Sequence, residues 1–185
     1  EEVIVFTPYF PEYKVFIENS GAVTVEVPID KNDFQIDFDA LEDAFSEKTA
    51  AVIINSPNNP TGAVLTEETL KKLGAFLSEK EQKYDKEIYL ISDEPYRELV
   101  YGDVKLAFPA NYYDDTIICY SYSKSLSLPG ERIGYIMVSP KAKSRRKLFD
   151  TVCGSGRSLG FVCAPSLLQY VIGRNQGLVS DLSVY

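Results

Sequence analysis

The chain has 185 residues, of which 45% are hydrophobic and 25% are charged, a composition ordinary for a globular domain with a packed core. Its formal net charge of −8 argues against a nucleic-acid partner, because phosphate backbones need clustered lysine and arginine. No apolar run approaches the ~20 residues that a membrane span requires, and no signal peptide precedes the first predicted strand. Neither membrane insertion nor secretion is therefore expected.

Histidine is absent from the sequence, and cysteine occurs three times, as Cys119, Cys153 and Cys163. Without histidine the chain lacks the base of Ser-His-Asp and Cys-His catalysis, and no metal site is predicted. An odd number of cysteines without C-x-x-C spacing is typical of a reducing compartment, so a cytoplasmic location is predicted. Cys119 is interpreted as a small core residue. Any chemistry must rest on lysine, tyrosine, aspartate or a cofactor.

The hydrophobic pattern predicts strands that alternate with helices along the chain. Apolar or alternating runs typical of strands occupy residues 3–7, 22–29, 50–55, 88–92, 116–120 and 132–138. Amphipathic spacing predicts helices at residues 12–19, after the N-cap Asp37, and at residues 66–83, 140–151 and 165–172. A Gly/Ser-rich loop is expected at residues 154–160. This order predicts an α/β fold, a three-layer α/β/α sandwich with a mostly parallel, doubly wound sheet.

Three polar stretches follow three of these strands. Asn-Asn-Pro-Thr-Gly occupies residues 58–62, and Asp-Glu-Pro-Tyr occupies residues 93–96. The third stretch, residues 121–134, reads Ser-Tyr-Ser-Lys-Ser-Leu-Ser-Leu-Pro-Gly-Glu-Arg-Ile-Gly. Because ligand sites gather beyond the carboxyl ends of parallel strands, the three stretches are predicted to share one cleft.

The third stretch carries a lysine among hydroxyl groups. The amine of Lys124 can form a Schiff base with a carbonyl group if its surroundings lower its pKa. Ser121, Ser123 and Arg132 can together hold a phosphate, to which the guanidinium offers two parallel hydrogen bonds. The alternative for this stretch alone is a polar surface loop.

Asp93 closes a buried strand, where a carboxylate is costly without a cationic partner. A helix N-cap is the alternative role, since aspartate is common at that position. The sequence thus leaves open whether this carboxylate serves a ligand or a helix.

Taken in order, Asn-Pro-Thr-Gly, Asp-x-x-Tyr and Ser-x-Ser-Lys, with arginine eight residues after the lysine, resemble the large domain of the fold-type I pyridoxal-phosphate aminotransferases, in the aspartate aminotransferase group. The resemblance covers essentially all 185 residues. It implies the cofactor pyridoxal 5'-phosphate and the transfer of an amino group between an amino acid and a 2-oxo acid. It also implies a homodimer for the full-length protein.

The resemblance assigns roles to the polar residues. Lys124 would form the Schiff base and carry the proton of the substrate Cα. Asp93 would pair with the pyridinium nitrogen and keep the ring protonated. Asn59 and Tyr96 would bind the phenolic oxygen of the cofactor, whose ionised form such hydrogen bonds favour. Lys124, Asp93 and Tyr96 are therefore the expected catalytic residues.

Further cofactor contacts are implied for Phe10 and for the phosphate group. Ser121, Ser123 and Arg132 resemble the phosphate cup of the family. Phe10 stands where relatives carry the aromatic side chain that stacks on the cofactor ring. A core aromatic is the alternative role for Phe10.

The resemblance also sets expectations for the extent of the chain. Residues 1–185 are expected to be an incomplete cofactor-binding large domain, with the glycine-rich phosphate loop and the small domain outside it. The isolated piece is expected to fold without catalysing transamination. Cis peptide bonds are implied at Thr7–Pro8 and Asn59–Pro60. Two rival functions share the motifs: a carbon–sulfur β-lyase, and a non-catalytic effector-sensing module of the same fold.

Overall fold

The structure, a computed structural model, describes residues 1–175, 177 and 181, and it places six strands of this part in one sheet. The strands are Glu2–Thr7 (β1), Val23–Pro28 (β2), Thr49–Asn55 (β3), Tyr89–Asp93 (β4), Thr116–Ser121 (β5) and Gly134–Val138 (β6). Their order is β2-β1-β3-β4-β5-β6; β1 to β5 are parallel, and β6 is antiparallel to β5. The predicted mostly parallel sheet is confirmed.

Helices connect the strands. They are Glu12–Asn19 (α1), Phe38–Ala44 (α2), Glu67–Tyr84 (α3), Tyr122–Ser125 (α4), Arg145–Ser158 (α5) and Ser166–Arg174 (α6). The predicted N-cap Asp37 accepts hydrogen bonds from the backbone N–H groups at the start of α2, and Thr66 caps α3 in the same way. Within the described residues, no helix has both the length and the apolar character needed to cross a bilayer.

The sheet separates two groups of packed side chains, because successive residues of a strand face opposite sides. Ile4 and Phe6 of β1 belong to the larger core, which packs against α2 and α3, while Val5 packs with Tyr13 and Ile17 of α1. The larger core also includes Leu41, Val52, Ile54, Leu73, Leu77 and Leu90. Helices thus cover both faces, which confirms the three-layer α/β/α arrangement.

The start of α5 differs from the prediction. The pattern predicted a helix over residues 140–151, but α5 begins at Arg145. The backbone N–H of Lys143 donates to Asp115 Oδ1 at 2.8 Å, and Ser139 is buried next to β6. These tertiary contacts hold the preceding residues in turns, so the helix starts five residues later than its sequence allows.

The end of α5 also differs, because the loop predicted at residues 154–160 is helical as far as Ser158. Gly154 and Gly156 lie inside the helix, and neither has a positive φ. Gly160, two residues after the end of α5, has a φ of 87°, and the N–H of Phe161 donates to Gly156 O at 2.8 Å, which closes the helix. The prediction of a loop was therefore wrong, because Gly154 and Gly156 adopt the ordinary helical conformation.

Three charged residues meet at the amino end of the sheet, and we call Glu81, Asp115 and Lys143 the amino-end cluster. Lys143 Nζ lies 2.6 Å from Glu81 Oε2 and 3.7 Å from Asp115 Oδ2. Glu81 Oε1 also accepts the backbone N–H of Ile88 at 3.2 Å. The cluster ties the end of α3 to the starts of β4 and β5 and to the chain that leaves β6.

Candidate active site

The carboxyl ends of β3, β4 and β5 lie side by side. Asn55 of β3 is the register partner of Asp93 of β4, and Asp93 is the partner of Cys119 of β5. The loops that leave these three strands carry most of the residues singled out in the sequence, namely Asn59, Tyr96, Ser121, Ser123, Lys124 and Arg132. The structure therefore brings the three motifs to one edge of the sheet.

Asn59, Tyr96 and Lys124 form the first contact between the three loops. Burial raises the pKa of the Tyr96 phenol, and the negative charge of Asp93 raises it further. The Asn59 side chain, which can hydrogen-bond the phenol oxygen, lowers this pKa, and the net effect is a raised pKa. Lys124 Nζ lies 5.9 Å from the centre of the Tyr96 ring, and its side chain on α4 is exposed. An amine, a phenol and an amide from three different segments thus lie close to one another.

Asn55 ties two of the loops together, a role that the sequence analysis missed. Its Oδ1 accepts the backbone N–H of Asn59 at 2.6 Å, and its Nδ2 donates to the carbonyl of Asp93 at 2.8 Å. Asn58 only shapes the turn, since its Oδ1 accepts both the N–H and the hydroxyl of Thr61. A polar residue at the end of an otherwise apolar strand was the available signal for Asn55.

Three X-Pro peptide bonds near the site are cis. Thr7–Pro8 and Asn59–Pro60 are cis as predicted, and Ser56–Pro57, for which no prediction was made, is also cis. They lie in the segments that follow β1 and β3 at the carboxyl edge of the sheet.

Asp93 is half-buried at this edge and forms no ion pair with a lysine or arginine in the described part of the chain. The Tyr13 hydroxyl of α1 donates to Asp93 Oδ2 at 2.5 Å. Burial raises the pKa of the Asp93 carboxyl, and the hydrogen bond from Tyr13 lowers it. Residues 95–98 form turns rather than a helix, so the alternative N-cap role of Asp93 is wrong.

Phe10 contacts the tyrosine that is hydrogen-bonded to Asp93. Its ring packs edge-to-face on Tyr13 with the ring centres 5.6 Å apart and the planes at 78°. The side chain is only partly buried and packs on the α1 side of the sheet with Val5. Phe10 thus packs at the edge of the smaller core, next to the tyrosine that contacts Asp93.

The turn that carries Tyr96 rests on a second, fully paired carboxylate. Glu94 is buried, and its Oε2 lies 2.5 Å from Nη1 of Arg97. Its Oε1 accepts the Ser92 hydroxyl at 3.0 Å, and its backbone N–H donates to Cys119 O at 2.8 Å. These contacts fix the turn between Asp93 and Arg97, so the Tyr96 ring has a defined position.

The residues predicted to bind phosphate line one cleft of about 150 Å³, together with Ile133 and Gly134. Ser121 Oγ accepts the backbone N–H of Ser123 at 3.1 Å and donates to the Ser123 hydroxyl at 2.7 Å. Arg132 has a φ of 49° and donates from Nη1 to Pro129 O at 2.8 Å, which holds the guanidinium at the cleft. Two hydroxyls and a cation therefore surround the same volume.

Gly134 sets the width of this cleft. It is the register partner of Ser121 across β5 and β6. A Cβ atom at this position would lie 2.3 Å from the backbone oxygen of Tyr120, a distance that real Cβ atoms do not show. Only glycine permits this approach of the two strands.

The comparison with known families decides the class of the protein. The sequence pattern of the family described as "Aminotransferase class I and II" matches residues 1–172. The chain belongs to the aminotransferase class I and II family. Enzymes of this family depend on pyridoxal phosphate. The resemblance to fold-type I aminotransferases is thereby confirmed.

Individual relatives agree with this family. The chain is 43% identical over 141 residues to a probable aspartate/prephenate aminotransferase of Aquifex aeolicus and 40% identical over 140 residues to the aspartate aminotransferase of Bacillus subtilis. The matches cover 74% and 73% of the chain but 34% of each relative. The chain therefore spans about a third of the length of these curated relatives.

Solved structures give the same picture. A crystal structure of an aminotransferase from Eubacterium rectale matches with a TM-score of 0.97 and 55% identity, over 100% of this chain and 46% of that one. A mutant of the Thermus thermophilus aspartate aminotransferase matches with a TM-score of 0.75 and 30% identity, over 89% of this chain and 42% of that one. The α/β fold is therefore that of aspartate aminotransferase-like structures.

Proposed function

We propose that the full-length protein is a pyridoxal-phosphate-dependent aminotransferase that transfers an amino group between an amino acid and a 2-oxo acid. The carrying observation is that Asn59, Tyr96 and Lys124 meet at the sheet edge beside the cleft of Ser121 and Arg132. The family and the printed names of the relatives support the same reaction class.

The residues present fit the cofactor chemically. Hydroxyl groups and a guanidinium suit a phosphate, and Ser121, Ser123 and Arg132 supply them around one cleft. A half-buried carboxylate suits a protonated ring nitrogen, and Asp93 supplies one that forms no ion pair with any residue the structure describes. The hydroxyl of Tyr96 suits a phenolate oxygen.

In the mechanism that we propose, the bound cofactor supplies an electron sink for the pair left on the substrate Cα. Lys124 Nζ would be the point of covalent attachment and the base that takes the Cα proton and returns it. Asp93 would stabilise a protonated ring nitrogen, and Tyr96 and Asn59 would donate hydrogen bonds to the phenolic oxygen. Ser121, Ser123 and Arg132 would hold the phosphate, and Phe10 would contact the ring. Each residue thus acts from the position it occupies at the sheet edge.

Absorption spectroscopy of the full-length protein tests this proposal. We expect the cofactor band to appear on reconstitution and to change when a substrate amino acid is added, with ¹⁵N label passing to a 2-oxo acid. Lys141→Ala, at an exposed lysine paired with Asp114 at 4.0 Å, serves as a matched control for Lys124→Ala. A protein that binds the cofactor and transfers no label to any of a broad set of 2-oxo acids contradicts the proposal.

We further propose a cytoplasmic homodimer. Cys119, Cys153 and Cys163 are free thiols, which supports a reducing compartment. Phe149 of α5 and Leu167 of α6 are exposed, and such side chains support association with a second subunit. Light scattering of the full-length protein gives its mass in solution, and cell fractionation gives its location.

A further inference from the structure

One hydrogen bond in the site joins residues that are far apart in the chain. Tyr13 lies on α1, and its hydroxyl donates to Oδ2 of Asp93 at the end of β4, at 2.5 Å. Tyr13 is 8% exposed, although it is polar at its tip. A buried tyrosine places its hydroxyl where a partner exists, and here that partner is the carboxylate of the candidate site.

The hydrogen bond leaves the other carboxylate oxygen available. No hydrogen bond to Oδ1 of Asp93 is formed within the described part of the chain. If Oδ1 of Asp93 were fully buried, it would be a buried polar atom without a partner. Among the described residues the only such side-chain atom is Thr24 Oγ1, so Oδ1 of Asp93 is accessible to solvent. With Oδ2 held by Tyr13, Oδ1 is the atom that can accept a hydrogen bond from a ligand.

Tyr13 itself is held firmly. Its ring stacks on Tyr9 with the centres 6.4 Å apart and the planes at 12°, and it meets the edge-to-face ring of Phe10 at 5.6 Å. The backbone around it is helical, in α1. A hydroxyl fixed in this way orients its partner without losing further conformational freedom on ligand binding.

The other titratable groups that face Asp93 are neutral acids. The charge of Asp93 acts on Cys119 of β5 and on Tyr96 in the turn after β4. Burial, the larger cause, raises the pKa of the Cys119 thiol to about 12. Burial and the Asp93 charge likewise raise the pKa of Tyr13, so it remains a phenol that can donate. Of these groups, Tyr13 is the one that favours the ionised form of Asp93.

We propose that Tyr13 is a positioning residue for the reaction: by donating to Oδ2 of Asp93 it keeps this carboxylate ionised and directs Oδ1 toward a protonated ring nitrogen. The inference rests on the proposed function for the identity of the ligand. The contact between Tyr13 and Asp93 is independent of that function.

Two tyrosines of the same segment provide a matched pair of variants. Tyr13→Phe removes the hydroxyl that contacts Asp93, whereas Tyr9→Phe removes one that donates to Glu26 at 2.8 Å on the surface. In the full-length protein we expect Tyr13→Phe to bind pyridoxal phosphate about tenfold more weakly, since it loses a hydrogen bond to a charged group. Tyr9→Phe should bind it as the wild type does.

A second readout needs no cofactor. Infrared difference spectra between each protein and its Asp93→Asn partner follow the carboxyl band of Asp93 as the pH changes. We expect the pKa of Asp93 to rise in Tyr13→Phe and to remain unchanged in Tyr9→Phe. Site-specific replacement of Tyr13 by a fluorinated tyrosine, whose more acidic phenol donates more strongly, should lower this pKa while the shape of the side chain is kept.

The two readouts separate the possible failures. If Asp93 titrates at the same pH in the wild type, in Tyr13→Phe and in the fluorinated protein, the positioning role is wrong. If the pKa of Asp93 changes as expected but the protein never transfers an amino group, the proposed function is wrong, whereas the effect of Tyr13 on Asp93 is confirmed. In an Asp93→Ala background, Tyr13→Phe should cause no further loss of cofactor affinity; an additive loss indicates a purely structural role and overturns the proposal.

Discussion

Asp115 at the amino end of the sheet and Asp93 at the carboxyl end have different partners for their carboxylates. At the amino end, the Asp115 side chain is 1% exposed and the Glu81 side chain 8% exposed, and both share the ammonium group of Lys143. At the carboxyl end, the Asp93 side chain has, among the described residues, the neutral hydroxyl of Tyr13 as its one hydrogen-bond partner. Burial raises the pKa of both Asp93 and Asp115, so the cost of desolvation is present at both ends. Of these two aspartates, only Asp115 has a cation within the described residues that offsets this cost.

The topology explains this difference. Strand β6 is antiparallel to β5, so the chain that leaves Val138 arrives at the start of β5 and delivers Lys143 there. At the opposite edge, the loops after β3, β4 and β5 leave the sheet and create an open space between them. Asp93, a half-buried acid that has no cationic partner among the described residues, therefore marks the end of the sheet at which a cationic ligand group is expected.

Lys124→Ala in the full-length protein should give the largest effect. We expect turnover to fall by about 10²- to 10⁴-fold, the range typical of a lost acid–base group, while noncovalent cofactor binding persists in part. Stability should not change, because the side chain is exposed. Steady-state kinetics and urea denaturation measure the two quantities. Wild-type turnover in this variant would place the chemistry elsewhere.

Lys143→Met tests the paired end of the sheet. The variant leaves Glu81 and Asp115 without their cation, and we expect unfolding free energy near neutral pH to drop by about 1–3 kcal/mol, partly limited by the solvent exposure of the lysine. Burial already raises the pKa of Asp115, and an acid with a raised folded pKa opposes folding above its unfolded pKa. Loss of the cation raises that pKa further. The deficit should therefore shrink as the pH falls and the carboxyls are protonated.

Urea denaturation of the Lys143→Met variant at several pH values measures this deficit. Lys141→Met is the control, because its ion pair with Asp114 is exposed and long, at 4.0 Å. If the loss of unfolding free energy in Lys143→Met grew at acidic pH, the ammonium group of Lys143 would not be what stabilises the amino-end cluster.

Asp93→Asn tests the aspartate at the carboxyl end of the sheet. This substitution should raise the free energy of unfolding, whereas Lys143→Met should lower it. The amide keeps an oxygen for the Tyr13 hydroxyl and removes a charge whose burial is unfavourable, as the raised pKa of Asp93 indicates. In the cofactor-free protein we expect a gain of up to about 1 kcal/mol near neutral pH, which disappears as the pH falls through the titration of the wild-type carboxyl. Thermal or urea unfolding measures it. A loss as large as that of Lys143→Met would remove the distinction between the two ends.

Arg146→Ala should have the smallest effect. Arg146 Nε lies 2.9 Å from Asp150 Oδ2 on α5, but the two side chains are 84% and 54% exposed. Exposed pairs contribute little, so we expect the urea midpoint to stay within measurement error. If this variant lost as much stability as Lys143→Met, burial would not be what gives the amino-end cluster its strength.

The features that were predicted correctly depend on residues close together in the chain. The strands are apolar runs and each of the three motifs is contiguous, so the strands and the motifs could be located without knowledge of the fold. Asp37 and Thr66 cap their helices with their own side chains, which is also a local effect. The motifs could be expected at one edge, because parallel strands end together.

Contacts between distant residues explain what the sequence did not reveal. Tyr13 received no role beyond its place in the helix predicted at residues 12–19, since its partner Asp93 lies 80 residues further along the chain. The late start of α5 depends on Asp115, 28 residues before Lys143. No pattern within one element carries such information, and only the assembled sheet brings these groups together.

The close approach at Gly134 has a consequence for mutant libraries. A β-carbon there would meet the backbone oxygen of Tyr120, so every other residue type must first push two strands apart. A library selected for folding alone would therefore return glycine at this position, whether or not any member ever met a ligand. Enrichment of Gly134 reports on backbone spacing, whereas enrichment of its neighbour Arg132, which is exposed, would report on selection for binding.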